Sequence, residues 1–236
     1  MLYRTHLEFK EELNILNQDS IKYIILHHTA DSRPHTVEDV HKAQINKGMA
    51  GIAYHYFIRK DGEIYQGRPL WAAGAHTKGY NYESIGVCFE GDFNKEEMGG
   101  MQFDAAVMLL SILSLAHIGP RNDIESDGPL EVEDEENDVL YENPEGVLLD
   151  CYTNEIVKHD DLVKGQVPSP GNLFPFDELM RHVCLCRDWL YALCGRQCHE
   201  EELTDEEMRD YANMGYPMDR IFQVGNFDYF NLLDLI

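Results

Sequence analysis

Apolar positions along the chain gather into short runs separated by breakers, and the spacing inside each run predicts an element. Met1–Asn17 mixes charged and apolar types at amphipathic spacing and predicts a short helix. Ile21–His27 (IKYIILH) is a compact β-branched run, the pattern of a buried strand. Thr36, followed by Glu38 and Asp39, reads as the N-cap of a helix that Gly48 and Gly51 end. Ala53–Arg59 (AYHYFIR) alternates and predicts a strand. Lys60-Asp61-Gly62-Glu63 is an Asp-Gly hairpin turn, and Ile64–Gln66 returns as the partner. Ser84–Phe89 (SIGVCF) predicts another strand, closed by Gly91, and Phe103–His117 a buried helix.

Residues 118–155 break this order. Gly119-Pro120, Gly128-Pro129 and Asn143-Pro144 interrupt an acidic stretch too long for an ordinary loop in a compact domain. It reads as an insertion, with Val139–Tyr141 and Val147–Leu149 as short strands. Glu155–His159 re-enters the core and Phe176–Leu193 predicts a strong helix. Thr204, with Glu207 three residues on, caps a second helix reaching Met214. Strands interleaved with helices predict an α/β fold with a central mixed β-sheet flanked by helices. The expected division is one domain over 1–195, its acidic insertion at about 118–155, and a helical extension over 196–236 packed on it.

Composition narrows the function classes. The chain has 236 residues, of which 44% are hydrophobic, enough for one sizeable core. No apolar run reaches the roughly 18–20 residues that span a bilayer. Met1–Asn14 lacks the apolar centre of a secretory signal, so synthesis in the cytoplasm is expected, with phage encoding or release by another route as the way to a cell wall. The net charge of −24, from 43 acidic and 19 basic residues, argues against a nucleic-acid partner. Eleven acidic residues between Asp123 and Glu145, without Lys or Arg, concentrate that charge; Glu200–Glu207 is a second cluster. Both read first as solvated faces. Of six cysteines, four lie between Cys184 and Cys198, and the missing signal favours free thiols.

His27 and His28 end a buried strand ahead of Thr29, and His159 stands far along the chain before Asp160 and Asp161. Three such ligands with one position left open are what zinc hydrolases use. Eleven histidines give many accidental pairs, so spacing alone does not single out a metal site. Each residue also has a plain role: Tyr54 as cross-strand packing, His76 as a loop cap, His28 as a buried neighbour pointing opposite to His27, Trp71 as core or as a sugar platform.

The segments IILHHTA (Ile24–Ala30), AYHYFIRKDGEIYQGR (Ala53–Arg68), AAGAHTKGYNYESIGVCFEGDF (Ala72–Phe93), KHDD (Lys158–Asp161) and SPGNLFPFDEL (Ser169–Leu179) occur in one order. That order resembles the type-2 N-acetylmuramoyl-L-alanine amidase family, which includes amidase-type phage lysozymes and animal peptidoglycan recognition proteins. The match covers about residues 20–117 and 156–190 and leaves out the acidic insertion and the C-terminal region. The resemblance implies zinc as cofactor and peptidoglycan or muropeptide as partner. It makes His27 and His159 the first two zinc ligands, Tyr54 and His76 the catalytic-site side chains, and Tyr80 and Asn81 substrate-binding residues. It puts the third ligand, a Cys or Asp before Pro-Gly, at Ser169; in the recognition-protein branch a Ser there marks members that bind without cleaving. Val167 stands where several members carry a carbonyl-polarising Lys.

Three functions follow: zinc-dependent hydrolysis of the lactyl–L-alanine amide, binding of muropeptide without turnover, or docking of a protein partner through the acidic insertion or the apolar C-terminal tail. Limited proteolysis is expected to cut first within 118–155; early cleavage inside Ile21–Phe89 would overturn the predicted architecture.

Overall fold

The computed structural model describes residues 2–117, 141–142, 148–149, 156–164 and 168–197. Its strands are β1 (Leu2–Tyr3), β2 (Tyr23–His28), β3 (Tyr56–Ile58), β4 (Ile64–Gln66), β5 (Ser84–Phe89), β6 (Tyr141–Glu142), β7 (Leu148–Leu149) and β8 (Ile156–Lys158). Its helices are α1 (Val37–Asn46), α2 (Gly100–His117), α3 (His159–Leu162) and α4 (Phe176–Gln197). Among the described residues the main sheet runs β1-β4-β3-β5-β2-β8. Only β3 and β4 pair antiparallel, joined by the expected hairpin; every other neighbour is parallel. The mixed sheet flanked by helices is therefore the observed fold.

The central strands β2 and β5 read as unbroken apolar runs because both of their faces are covered. Alternate residues go to opposite sides. Ile24, Leu26, Ile85, Val87 and Phe89 join α2 and α4 in the larger core, with Leu110 and Leu179 fully buried. Phe57 and Cys88 turn the other way and pack with Val37, Val40 and Ile52 under α1. Helix α2 is apolar all round because it is sandwiched between the sheet and α4. Helix α1 begins as expected: Thr36 Oγ1 accepts the Asp39 N–H at 3.2 Å while the Asp39 carboxylate accepts the Thr36 N–H at 3.0 Å.

The structure departs from the sequence reading at the N-terminus. Residues 2–17, the described part of Met1–Asn17, do not form the expected helix. Leu2–Tyr3 extends the sheet beside β4, Ile15 bridges Ala72, and Gln18–Ser20 makes one 3₁₀ turn. A lone amphipathic helix of this length is marginal. Pairing wins: Leu16 N–H donates to Trp71 O at 2.7 Å and Ala73 N–H to Asn14 O at 2.8 Å. The strand expected over Ala53–Arg59 shortens to Tyr56–Ile58, leaving Tyr54 just ahead of it. Helices α2 and α4 run three and four residues past the expected Phe103 and Leu193 ends.

In the acidic segment Tyr141–Glu142 pairs antiparallel with Leu148–Leu149, overlapping the two expected strands, whose residues Val139, Leu140 and Val147 lie outside the described ones. The rest of that segment, the extension over 198–236, its expected helix Thr204–Met214 and the partner docking assigned to both lie outside the described residues. Cys88 and Cys186 are free and buried. Cys184 is disulfide-bonded, against the free-thiol expectation, which rested on compartment rather than geometry. Trp71 is 52% exposed and so is not core. No described helix is long and apolar enough to cross a membrane.

Replacing Leu110 by Ala is expected to lower stability by about 3 kcal/mol through loss of burial and the cavity left behind. Ile15→Ala, at a side chain 77% exposed, is expected to change it by less than about 0.5 kcal/mol. Urea denaturation of both variants checks the assignment of the core.

Candidate active site

Strand β8 lies parallel to β2 with Lys158 opposite Leu26, so the residue after each, His159 and His27, end up side by side. Their ring centroids are 5.0 Å apart. His27 faces the α1 side of the sheet, next to Cys88 in the register, and is 4% exposed. His28 turns to the opposite face, stacks on Phe93 and accepts the Phe93 N–H on Nδ1 at 3.2 Å. The pair therefore divides its work, as strand alternation requires.

Two further rings close on His27: His76 at 5.0 Å and Tyr54 at 5.1 Å between centroids. His27 Nε2 and His76 Nδ1 are 3.0 Å apart, and Thr77 Oγ1 lies 2.9 Å from His76 Nδ1 and 3.3 Å from His27 Nε2. One proton lies between His27 Nε2 and His76 Nδ1, its side set by the tautomer, with the Thr77 hydroxyl completing the triangle. Burial first, then the neighbouring imidazoles, lowers the pKa of both His27 and His76 well below that of free histidine, so both rings are neutral at pH 7.

The other edge of the His76 ring is held by backbone. A methyl carbon built on Gly74 would lie 2.4 Å from His76 Cδ2, and one built on Gly86 2.5 Å. These two glycines make the slot in which the ring sits. Asn81 completes it from the loop side: its Oδ1 accepts the N–H of His76 and of Thr77, each at 2.9 Å. Arg68, buried beneath, ties the neighbouring segments by donating to Ile52 O at 2.7 Å and Ala73 O at 2.6 Å. Burial raises the pKa of Tyr54 well above that of free tyrosine, so it keeps its proton. Tyr80 packs edge-on to Tyr23 at 5.8 Å, at the entrance to the same loop.

Ser169 lies across from α3. Its N–H donates to Asp160 Oδ2 at 2.9 Å, and its carbonyl accepts the Asp160 N–H at 3.2 Å. The loop that carries it is docked on the turn after β5. Asn94 donates to Pro168 O and accepts from Asn172 N–H, both at 3.2 Å, and Leu173 N–H donates to Phe93 O at 2.7 Å. Gly171 is required there, with φ +117° and the Phe93 backbone 2.6 Å from where a Cβ would stand.

The structure thus brings His27, His76, His159 and Tyr54 together, sets Ser169 beside Asp160, and uses Asn81 to hold the loop of His76. Buried polar atoms without a partner collect here: His76 Nε2, His159 Nδ1 and Asp160 Oδ1. Buried polar groups are nearly always paired, so such a concentration marks a place where a ligand, ion or water belongs. The imidazoles of His27 and His159, side by side, are side chains of the kind that hold zinc. The third expected position does not supply charge, and among the described residues no three His, Cys, Asp or Glu side chains form a finished metal-binding set. Sequence reasoning missed Gly74, Gly86, Thr77 and Arg68. The one signal available was Gly86 itself, since an isolated glycine inside a strand points to close approach of another group.

A family model described as N-acetylmuramoyl-L-alanine amidase matches residues 17–172. Peptidoglycan-recognition protein 2 of Holotrichia diomphalia is 32% identical over 100 residues, covering 38% of this chain and 52% of that protein. The endolysin of Escherichia phage T7 is 35% identical over 72 residues, covering 30% of this chain and 48% of that protein. The chain thus spans about half the length of these curated relatives. Among solved structures, the N-acetylmuramoyl-L-alanine amidase LysC from Clostridium intestinale is similar with a TM-score of 0.55 at 26% identity, over 76% of this chain and 94% of that one.

The glycine slot makes a direct prediction. Gly86→Ala is expected to displace the His76 ring, to shift its imidazole resonances in a nitrogen-15 spectrum and to destabilise the protein by roughly 1–3 kcal/mol. Gly99→Ala, which meets no atom within 4 Å, is expected to leave the resonances in place and stability within about 0.5 kcal/mol.

Proposed function

The chain belongs to the N-acetylmuramoyl-L-alanine amidase family, and on that premise we propose that it hydrolyses the amide between the lactyl group of muramic acid and L-alanine in peptidoglycan or its fragments. The observation that carries this reading is the meeting of His27, His76, His159 and Tyr54 within centroid distances of 5.0–6.3 Å, around buried polar atoms that lack partners.

His27 and His159 are the residues that would hold zinc. When bound, zinc supplies Lewis-acid polarisation of a carbonyl and a lowered pKa for water. The chain's own groups have separate tasks. His27 is kept neutral, and its Nε2 is held by His76, the arrangement in which a metal-binding imidazole has its second nitrogen fixed. His76 is therefore a positioning residue: one edge grips His27 and the other is fixed by Gly74 and Gly86. Tyr54, protonated at neutral pH, offers an O–H to developing charge on the scissile carbonyl. Tyr80, four residues after His76 on the same loop, binds the stem peptide or sugar. Asn81 serves binding through the loop that its Oδ1 shapes.

One observation favours a second reading, a module that grips muropeptide without cleaving it. Ser169 puts a neutral hydroxyl where the family pattern has thiolate or carboxylate, and a hydroxyl is a poor zinc ligand. Metal analysis of protein purified without chelator, alongside release of L-alanine-containing peptides from peptidoglycan, separates the two. The amidase reading expects about one zinc per chain, with peptide release that falls by at least roughly 10³-fold in His27→Ala and His159→Ala. Muropeptide binding without turnover would establish the second reading, and absence of both binding and turnover would overturn each.

A further inference from the structure

Two neutral imidazoles leave a zinc ion with its full charge, and stable sites normally add a thiolate or a carboxylate. Ser169 provides neither. Three carboxylates stand near enough to consider among the described residues: Asp92, Asp160 and Asp161. Asp92 is committed elsewhere, accepting the Asn94 N–H at 3.2 Å and pairing with Lys95 Nζ at 2.6 Å. Asp161 closes the start of α3, with Oδ2 accepting the Lys158 N–H at 3.1 Å and Oδ1 3.7 Å from Lys158 Nζ.

Asp160 differs. Its Oδ2 is fixed by the Ser169 N–H, and its own N–H is fixed by the Ser169 carbonyl. That reciprocal tie turns the second oxygen, Oδ1, to within 3.5 Å of His159 Nδ1. Both atoms are buried and neither has a hydrogen-bond partner. Two donors on a tetrahedral zinc, each about 2.0–2.1 Å from the metal, stand roughly 3.3 Å apart, so this spacing suits two ligands of one ion.

We propose that Asp160, through Oδ1, supplies the anionic zinc ligand that Ser169 lacks, and that the backbone of Ser169 aims it. The inference rests on the zinc-amidase reading of the same cleft. The set becomes two imidazoles and one carboxylate, a composition that catalytic zinc sites use. His27, His159 and Asp160 are not gathered into a finished site among the described residues, and holding zinc would require the three donors to approach one another. The Ser169 side chain has no part in this. Its backbone does, and that backbone is held by Asn94 and by the close seat of Gly171 on Phe93.

Titration of the metal-free full chain with zinc, in competition with a chromogenic chelator, tests the assignment without any assay of catalysis. Asp160→Asn keeps a carbonyl oxygen to accept the Ser169 N–H and removes the charge alone. It is expected to weaken zinc binding by more than the roughly 10–100-fold that loss of a ligand's outer partner costs. Ser169→Ala and Asp161→Asn are expected to bind zinc as the parent does. Asp160→Cys loaded with cobalt(II) is expected to show a thiolate-to-metal charge-transfer band that the parent lacks, a positive signal that does not depend on the behaviour of the Asn variant. Parent-like zinc affinity in folded Asp160→Asn, or the absence of that band, overturns the assignment of Asp160 and leaves the zinc reading standing. If the parent chain itself takes up no zinc, the zinc reading falls and this inference with it.

Discussion

Parallel pairing of β2 with β5 on one side and β8 on the other is the constraint on which the site depends. The β8 pairing is three residues long, from Ile24 opposite Ile156 to Leu26 opposite Lys158. A slip of one residue would turn the side chains of β8 to the other face and move the start of α3 away from His27. What prevents the slip is burial: Ile24, Leu26 and Ile156 all enter the core against α2 and α4. The hydrophobic effect therefore sets the distance between two imidazoles that come from opposite ends of the domain sequence.

A second constraint is steric. His76 does not sit in a roomy cleft but in a slot made by the absence of two Cβ atoms, at Gly74 and Gly86, and closed by the backbone-binding amide of Asn81. Fixing a ring in this way costs polar satisfaction at its Nε2, which is buried without a partner. It gains a rigid partner for His27, with the ring confined to one orientation.

The third-ligand region is built by the same logic with different parts. The loop over 168–173 has little secondary structure, yet Asn94, Phe93 and Asp160 hold it at both ends. Its side chain at 169 carries no charge, while the tie from its backbone fixes one carboxylate oxygen of Asp160 and leaves the other 3.5 Å from His159 Nδ1.

Sequence alone determined the α/β class, the central strands, the Asp-Gly hairpin, the Thr36 cap and the two long helices. These depend on local period and turn chemistry, which a short window contains. The family motifs also placed His27, Tyr54, His76 and His159 in one cleft before any coordinates. The N-terminal segment was misread as a helix because its pairing partners, β4 and the stretch around Trp71–Ala73, lie far along the chain. The slot for His76, the Arg68 tie between Ile52 and Ala73, and the grip of Asp160 on Ser169 were decided by tertiary structure alone. Each rests on a close approach between segments distant in sequence, and such an approach is fixed only when the whole core has packed.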